Sequence, residues 1–227
     1  MAIVMDGNRR WARGKGLAPM RGHSEGVKTA KKVLDFCLKK GIRYVSLYTF
    51  SIENFKRPEQ EKNFLFNLLA QESSIGGTVE QLIEKGIRVR FVGDRSLFPE
   101  VIKKHAQKLE KSTEHLEALT VNLLFCYGAR QEMVASAKKI AQKVQVGQLR
   151  EDEITEDILA ENMWTNGTPD PEIIIRTGQA QRLSNFLLFQ SAYSELYFLD
   201  RMWPEVTHED LEAVYQDFEG RQRRFGK

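Results

Sequence analysis

The sequence predicts an α/β fold in which a central, mostly parallel six-stranded sheet is flanked by helices, and three observations carry that expectation. Short apolar runs alternate with amphipathic helical stripes through most of the 227 residues, the order that a parallel sheet with crossover helices requires. Polar and charged residues gather just after the strand-like runs, where open α/β sheets bind their ligands. No repeat, low-complexity tract or linker rich in Pro, Gly and Ser interrupts the pattern, so residues 1–227 read as one domain.

The strand-like runs occupy residues 2–5, 44–50, 87–92, 119–125, 172–175 and 196–198. They are short and mostly rich in Val, Ile, Leu, Phe or Tyr, the composition of strands covered on both faces. Between the first two, Val27, Ala30, Leu34 and Cys37 recur at helical spacing, and Gly41 ends that helix because glycine enters the left-handed conformation without penalty. Pro58 opens the next helix, in which Phe64, Leu65, Leu68 and Leu69 are apolar, and Gly86 closes the stretch that follows. Met133, Val134, Ala137, Ile140 and Val144 form a later stripe. Thr207 and Asp210 have the spacing of a capping box before the last helix.

Composition narrows the function classes. Lys and Arg number 34 against 31 Asp and Glu, a net charge of +3, which suits an acidic small molecule but is too weak to argue for nucleic acid. There is no Walker pattern, no GxGxxG and no basic stripe interleaved with aromatics. Cys37 and Cys126 stand far apart in apolar settings, as reduced thiols of a cytoplasmic protein would. No stretch approaches the roughly 18 apolar residues of a membrane span, so any membrane contact is expected to be peripheral.

Two turns concentrate the chemistry. MDGNRRWAR, from Met5, and RTGQAQRLSNF, from Arg176, each follow an apolar run and together supply a carboxylate, several guanidiniums, two Asn, a Ser and two Gly. Exposed N–H groups at a strand end or helix N-terminus cradle anions, and Arg makes bidentate contacts to phosphate. A lone Asp among such cations suits Mg²⁺, which meets protein through one or two carboxylates and takes its other ligands from water and substrate phosphate. Taken alone, Asp6 reads as a strand-end carboxylate with no buried partner.

In order along the chain, MDGNRRWA, RGHSEG, LYTFSIENFKRP, VGD, NLLFCYGAR, IIIRTGQAQRLSNFLLFQSAYSELYF, WPEV and RRFG resemble the cis-prenyltransferase family, most closely its bacterial undecaprenyl diphosphate synthases. The resemblance covers almost the whole chain. It implies repeated condensation of isopentenyl diphosphate onto an allylic diphosphate such as farnesyl diphosphate, giving a long cis-polyprenyl diphosphate that serves as a lipid carrier precursor in cell-wall synthesis. Gly7, Asn8, Arg9, Arg10, His23 and Arg57 match the family's allylic side, and Trp11, Ser51 and Phe55 match further substrate-binding positions, with Arg9 standing where most members carry Gly and Phe55 where Trp is usual. Arg176, Arg182 and Ser184 match the isopentenyl diphosphate side. Asp6 and Glu195 match the Mg²⁺ positions, and Asp6 and Asn54 the catalytic ones; Asp6, a diphosphate oxygen, or a relay through Asn54 and Ser51 is the proton acceptor. The family also implies an apolar tunnel beside helices over residues 27–38 and 64–82, with Phe64, Phe66, Leu68, Leu69 and Leu82 as wall candidates. It implies a homodimer in which the closing Arg224 and Gly226 reach the partner's site, and a cytoplasmic enzyme meeting the inner face of the membrane peripherally when product is released. The rival classes are a cis-prenyltransferase of different product length and a non-catalytic scaffold of the same fold.

Overall fold

The structure is a computed structural model and describes residues 1–73 and 78–221. The strands are β1 (Ala2–Val4), β2 (Tyr44–Ser51), β3 (Ile87–Val92), β4 (Leu119–Tyr127), β5 (Ile173–Arg176) and β6 (Glu195–Phe198). The helices are α1 (Asn8–Gly14), α2 (Pro19–Lys39), α3 (Glu59–Glu72), α4 (Thr78–Glu84), α5 (Glu100–Thr113), α6 (Ala129–Gln145), α7 (Glu156–Glu161) and α8 (His208–Gly220). The expected strands are all present, within two residues at either end.

The six strands form one sheet in the order β3-β4-β2-β1-β5-β6, and every pairing is parallel. The expectation of a mostly parallel sheet thus becomes an all-parallel one. From β1 the chain builds first toward β2, β4 and β3 and later returns to the other side of β1 to add β5 and β6. The sheet therefore changes winding direction between β1 and β5, and a ligand crevice is expected beyond their carboxyl ends.

Side-chain alternation divides the core between the two faces. Ile3, Ile173 and Ile175 join the larger cluster with Phe36, Leu47, Phe91, Leu109 and Trp203. Ala2, Val4 and Ile174 join the smaller one with Leu124, Tyr127, Phe186 and Leu187. Neighbouring residues of one strand feed opposite clusters because the pleat has period two.

The smaller face also buries a carboxylate, Glu132, at 1% exposure. Tyr127 Oη donates to it at 2.5 Å, Thr165 donates its N–H and hydroxyl at 2.8 Å each, and Gln190 Nε2 donates at 3.2 Å. Four donors replace the water such a charge loses on burial. They tie the start of α6 to the loop before β6.

Glycine is required where α1 meets α2. A Cβ on Gly22 would fall 2.0 Å from the Asn8 carbonyl oxygen, closer than any real contact, so the helices approach over bare backbone. Trp203 closes the junction, donating Nε1–H to the Gly26 carbonyl at 2.8 Å and its backbone N–H to the Asp6 carbonyl at 3.0 Å. The capping box at α8 forms as expected, with Asp210 N–H donating to Thr207 Oγ1 at 3.3 Å and Thr207 N–H to Asp210 Oδ2 at 2.9 Å.

Candidate active site

Asp6 leaves the carboxyl end of β1 and Arg176 ends β5, on the two strands that flank the change in winding direction. Arg176, 5% exposed, donates Nη2–H to Asp6 Oδ2 at 2.9 Å and Nη1–H to Ser184 Oγ at 2.7 Å and the Arg182 carbonyl at 2.6 Å. Arg10 approaches Asp6 Oδ1 at 3.2 Å. The Asp6 backbone carbonyl accepts from Thr177 Oγ1 at 2.6 Å as well as from Trp203. The expectation that Asp6 lacks a buried partner is therefore overturned. Parallel pairing of β1 with β5 brings it an almost fully buried guanidinium from 170 residues away.

Gly7 permits this turn. It caps α1 at φ 106°, and a Cβ there would fall 2.7 Å from Met202 Sδ. Asn8 Nδ2 donates back to the Met5 carbonyl at 3.0 Å. At the end of β2, Ser51 N–H donates to Asn54 Oδ1 at 3.1 Å, closing a capping box on the short 3₁₀ turn Ile52–Lys56 that leads to Arg57. Asn54 thus holds that turn. The loop carrying Ser184 is strained. Ser184, Asn185 and Leu187 all have positive φ, at 52°, 64° and 45°, a region that side chains other than glycine rarely enter. Asn185 secures the loop by accepting from Arg130 N–H at 2.9 Å and donating to Glu53 at 2.8 Å and Gln131 at 3.0 Å.

These groups open into one cavity of about 960 Å³, at the upper end of ordinary ligand pockets. Its polar rim includes Asp6, Gly7, Asn8, Arg9, Arg10, His23, Ser51, Asn54, Arg57, Arg176 and Ser184. Its interior is mainly apolar, with Val27, Ala30 and Leu34 from α2, Leu65, Leu68 and Leu69 from α3, Leu82 from α4, and Leu47, Phe50, Val121, Leu123 and Phe125 from the sheet. Of the wall candidates, Phe64 and Phe66 do not line it; Phe66 packs on Phe50 and Phe125, ring centres 5.1 and 5.7 Å away.

Other nominated residues stand elsewhere. Phe55 lies edge-on behind Phe50 at 5.2 Å rather than on the cavity. Trp11 is half-buried with the Lys15 ammonium 4.7 Å from its ring centre. The Arg182 residue is exposed and meets Arg176 through its carbonyl. Glu195 stands apart from Asp6 within this chain. As the first residue of β6, level with Ile173, it lies at the amino end of the parallel sheet, opposite the Asp6 rim, and its carboxylate accepts from Arg221 at 2.7 Å. Within this chain it does not join Asp6. Arg224 and Gly226 lie outside the described residues.

A second cation cluster borders the same cavity, and at its back is a residue the motif reading missed. Glu61, 7% exposed in the first turn of α3, accepts from Arg57 Nη1 at 2.9 Å, lies 3.6 Å from His23 Nε2 and 3.7 Å from Arg9 Nη1. Its spacing of four residues from Arg57 was the available signal.

Burial, with the Arg57 guanidinium adding to it, lowers the His23 imidazole to about 4 from its usual 6.5. At neutral pH this ring is an uncharged donor and acceptor. Because the unfolded chain takes up this proton first, His23 supports the fold fully above pH 6.5 and loses that contribution as pH falls toward 4. The loss should amount to about 3 kcal/mol. Urea unfolding at pH 7, 5 and 4 is expected to show a shallower acid decline for His23→Gln than for the wild type. Superimposable declines would remove the assignment.

The donor set suits Mg²⁺. Asp6 offers a hard oxygen at the cavity mouth with 31% of its side chain exposed, and no group of three or more His, Cys, Asp or Glu that could cage a metal occurs among the described residues. One carboxylate plus phosphate oxygens is how this ion is commonly held. Cys37 and Cys126 are free and buried, each thiol pushed up by burial to about 12. Among the described residues no helix is long and apolar enough to cross a membrane.

Comparison with known proteins agrees with the geometry. A prenyltransferase family model described as undecaprenyl diphosphate synthase matches residues 4–226. An isoprenyl transferase of Clostridium perfringens is 42% identical, spanning all of this chain and 88% of that protein. A ditrans,polycis-undecaprenyl-diphosphate synthase of Xylella fastidiosa, specific for (2E,6E)-farnesyl diphosphate, is 41% identical over the same shares. The crystal structure of lavandulyl diphosphate synthase from Lavandula x intermedia, in complex with dimethylallyl diphosphate, superposes with a TM-score of 0.95 at 31% identity, covering all of this chain and 97% of that one.

Proposed function

The chain belongs to the undecaprenyl diphosphate synthase family of prenyltransferases, and from that premise we propose how its site performs the transfer. It is a cis-prenyltransferase. The proposal assigns the Asp6 turn, His23 and Arg57 to an allylic diphosphate, farnesyl diphosphate in the first round, and Arg176, Arg182 and Ser184 to isopentenyl diphosphate. One observation carries it: both cation clusters border a single cavity whose interior is mainly apolar. That combination fits two diphosphates side by side with a hydrocarbon chain running inward between the sheet and α2 and α3, as a tunnel would.

In the reaction the allylic C1–O bond breaks and its electron pair leaves with the diphosphate. The C3–C4 double bond of isopentenyl diphosphate attacks through C4 to form the C1–C4 bond. C2 gives its proton to a diphosphate oxygen, to Asp6 or to a relay through Asn54 and Ser51, and a new cis double bond forms between C2 and C3. The N–H groups at the start of α1, the Arg9, Arg10 and Arg57 guanidiniums and the neutral His23 ring would stabilise the charge building on the leaving group. Mg²⁺, held by Asp6 and diphosphate oxygens, would supply further charge neutralisation. Arg176 would orient the second substrate beside Asp6, while Asn54 and Ser51 keep the rim turn in shape.

The wider assignment follows the family: a single prenyltransferase domain, an undecaprenyl diphosphate product, a cytoplasmic homodimer with Arg224 and Gly226 closing the partner's site, and peripheral contact with membrane for product release. Incubation with farnesyl diphosphate, labelled isopentenyl diphosphate and Mg²⁺ should give label in extended polyprenyl diphosphates, with chromatography reading their length. No incorporation would overturn the proposal, and a product of other length would revise its last step. Sedimentation of the full chain tests the dimer.

A further inference from the structure

We propose that Glu61 is a built-in counter-ion that weakens the site's grip on diphosphate, so that the leaving group can depart after each transfer. The inference rests on the reading of Arg57 and His23 as the allylic diphosphate cluster. Arg9, His23 and Arg57 line the cavity, whereas Glu61 does not. It sits behind them, 7% exposed, within 2.9 to 3.7 Å of all three. Its direct hydrogen bond goes to Arg57 alone; the Arg9 and His23 distances are too long for one. Arg9 Nε and His23 Nε2 are buried without a hydrogen-bond partner, so this cluster keeps hydrogen-bonding capacity in reserve. With His23 lowered to about 4, the cluster holds two guanidinium charges and one carboxylate at neutral pH.

That arithmetic has a consequence for turnover. A diphosphate carries several negative charges, and two guanidiniums at the cavity rim, Arg57 with 26% and Arg9 with 40% of its side chain exposed, would hold it more strongly without a counter-charge behind them. The reaction releases inorganic diphosphate at every condensation, and a site that binds the leaving group as well after bond cleavage as before gains nothing by it. One buried carboxylate a few ångströms behind the cations lowers their attraction while its hydrogen bond keeps Arg57 aimed. Glu61 acts through Arg57, Arg9 and His23 and is therefore a positioning residue.

The sign of the effect separates this role from a structural one. Glu61→Gln keeps an oxygen for the Arg57 hydrogen bond and removes the charge, its amide facing Arg9 across a gap too long for a hydrogen bond. Calorimetric titration of the full-length, metal-free protein with inorganic diphosphate is expected to show about tenfold tighter binding than the wild type. In steady state, kcat and the KM for the allylic substrate should fall together, with stronger inhibition by added diphosphate. Arg9→Gln should weaken binding, and Glu61→Gln with Arg9→Gln should return it near the wild-type value. Equal or weaker diphosphate binding by Glu61→Gln, or a raised allylic KM, would overturn the proposal, because a carboxylate needed only for packing or alignment gives that result. Should Glu61→Gln not fold, Glu61→Asp draws the charge back and is expected to tighten binding by a smaller factor, with no change or a loss counting against the idea. Arg57→Ala is the control for the underlying site: if it leaves diphosphate affinity unchanged, the allylic assignment fails, independently of Glu61.

Discussion

Asp6→Asn is expected to cut turnover about a thousandfold, the scale of removing a central electrostatic group from a transition state, while the protein stays folded. Asn keeps the shape and one oxygen that can accept from Arg176, while its amide group replaces the oxygen near Arg10 with a donor, so the loss would report the charge together with that one acceptor. Asp6→Ala is the less clean experiment. It strips the carboxylate from Arg176, which is 5% exposed and whose Nε is buried with no hydrogen-bond partner. Breaking such a pair typically costs about 3 to 5 kcal/mol because the remaining charge is left uncompensated. Steady-state assay at saturating Mg²⁺ with a parallel melting curve decides the matter. Asn activity within tenfold of the wild type would remove Asp6 from the centre of the chemistry.

Arg176→Ala is expected to lower kcat/KM for isopentenyl diphosphate about a thousandfold and to reduce kcat as well, whereas Arg182→Ala should raise only the KM for that substrate. The sequence would have placed the two residues in one class. In the fold, Arg176 holds Asp6 on one side and Ser184 and the Arg182 carbonyl on the other, so its loss disturbs both halves of the site. The exposed Arg182 side chain is free to serve one substrate, and its removal should cost roughly one charge-assisted contact, about 1.5 to 3 kcal/mol. Initial rates with each substrate varied in turn distinguish the cases. A pure KM effect in Arg176→Ala would show that holding Asp6 is unimportant.

The residue types of the site were legible because each lies next to a local signal. Asp6, Gly7, Asn8, Ser51, Asn54 and Arg176 all end strands or follow them, and strand periodicity is a property of a few consecutive residues. Pairings across the chain were not. Glu61 reads as an ordinary acidic residue in a first helical turn, and only the packing of α3 beside α1 and α2 sets it behind Arg9 and His23. Glu195 is the opposite case: its motif is clear, but a parallel β6 puts its first residue at the amino end of the sheet, away from Asp6 of the same chain.

What the sequence by itself determined was the succession of strands and helices, the rim on which polar groups would gather, and the chemical kind of ligand those groups suit. These follow from short-range sterics, from the pleat and the helical period, and from the charge each side chain carries. The tertiary structure alone decided which groups meet. Strand order put β1 beside β5 and so joined Asp6 to a cation 170 residues away. It also placed both guanidinium clusters on one cavity and buried Glu61 behind one of them. Long-range contacts of this kind depend on the winding of the whole sheet, which no local stretch of sequence encodes.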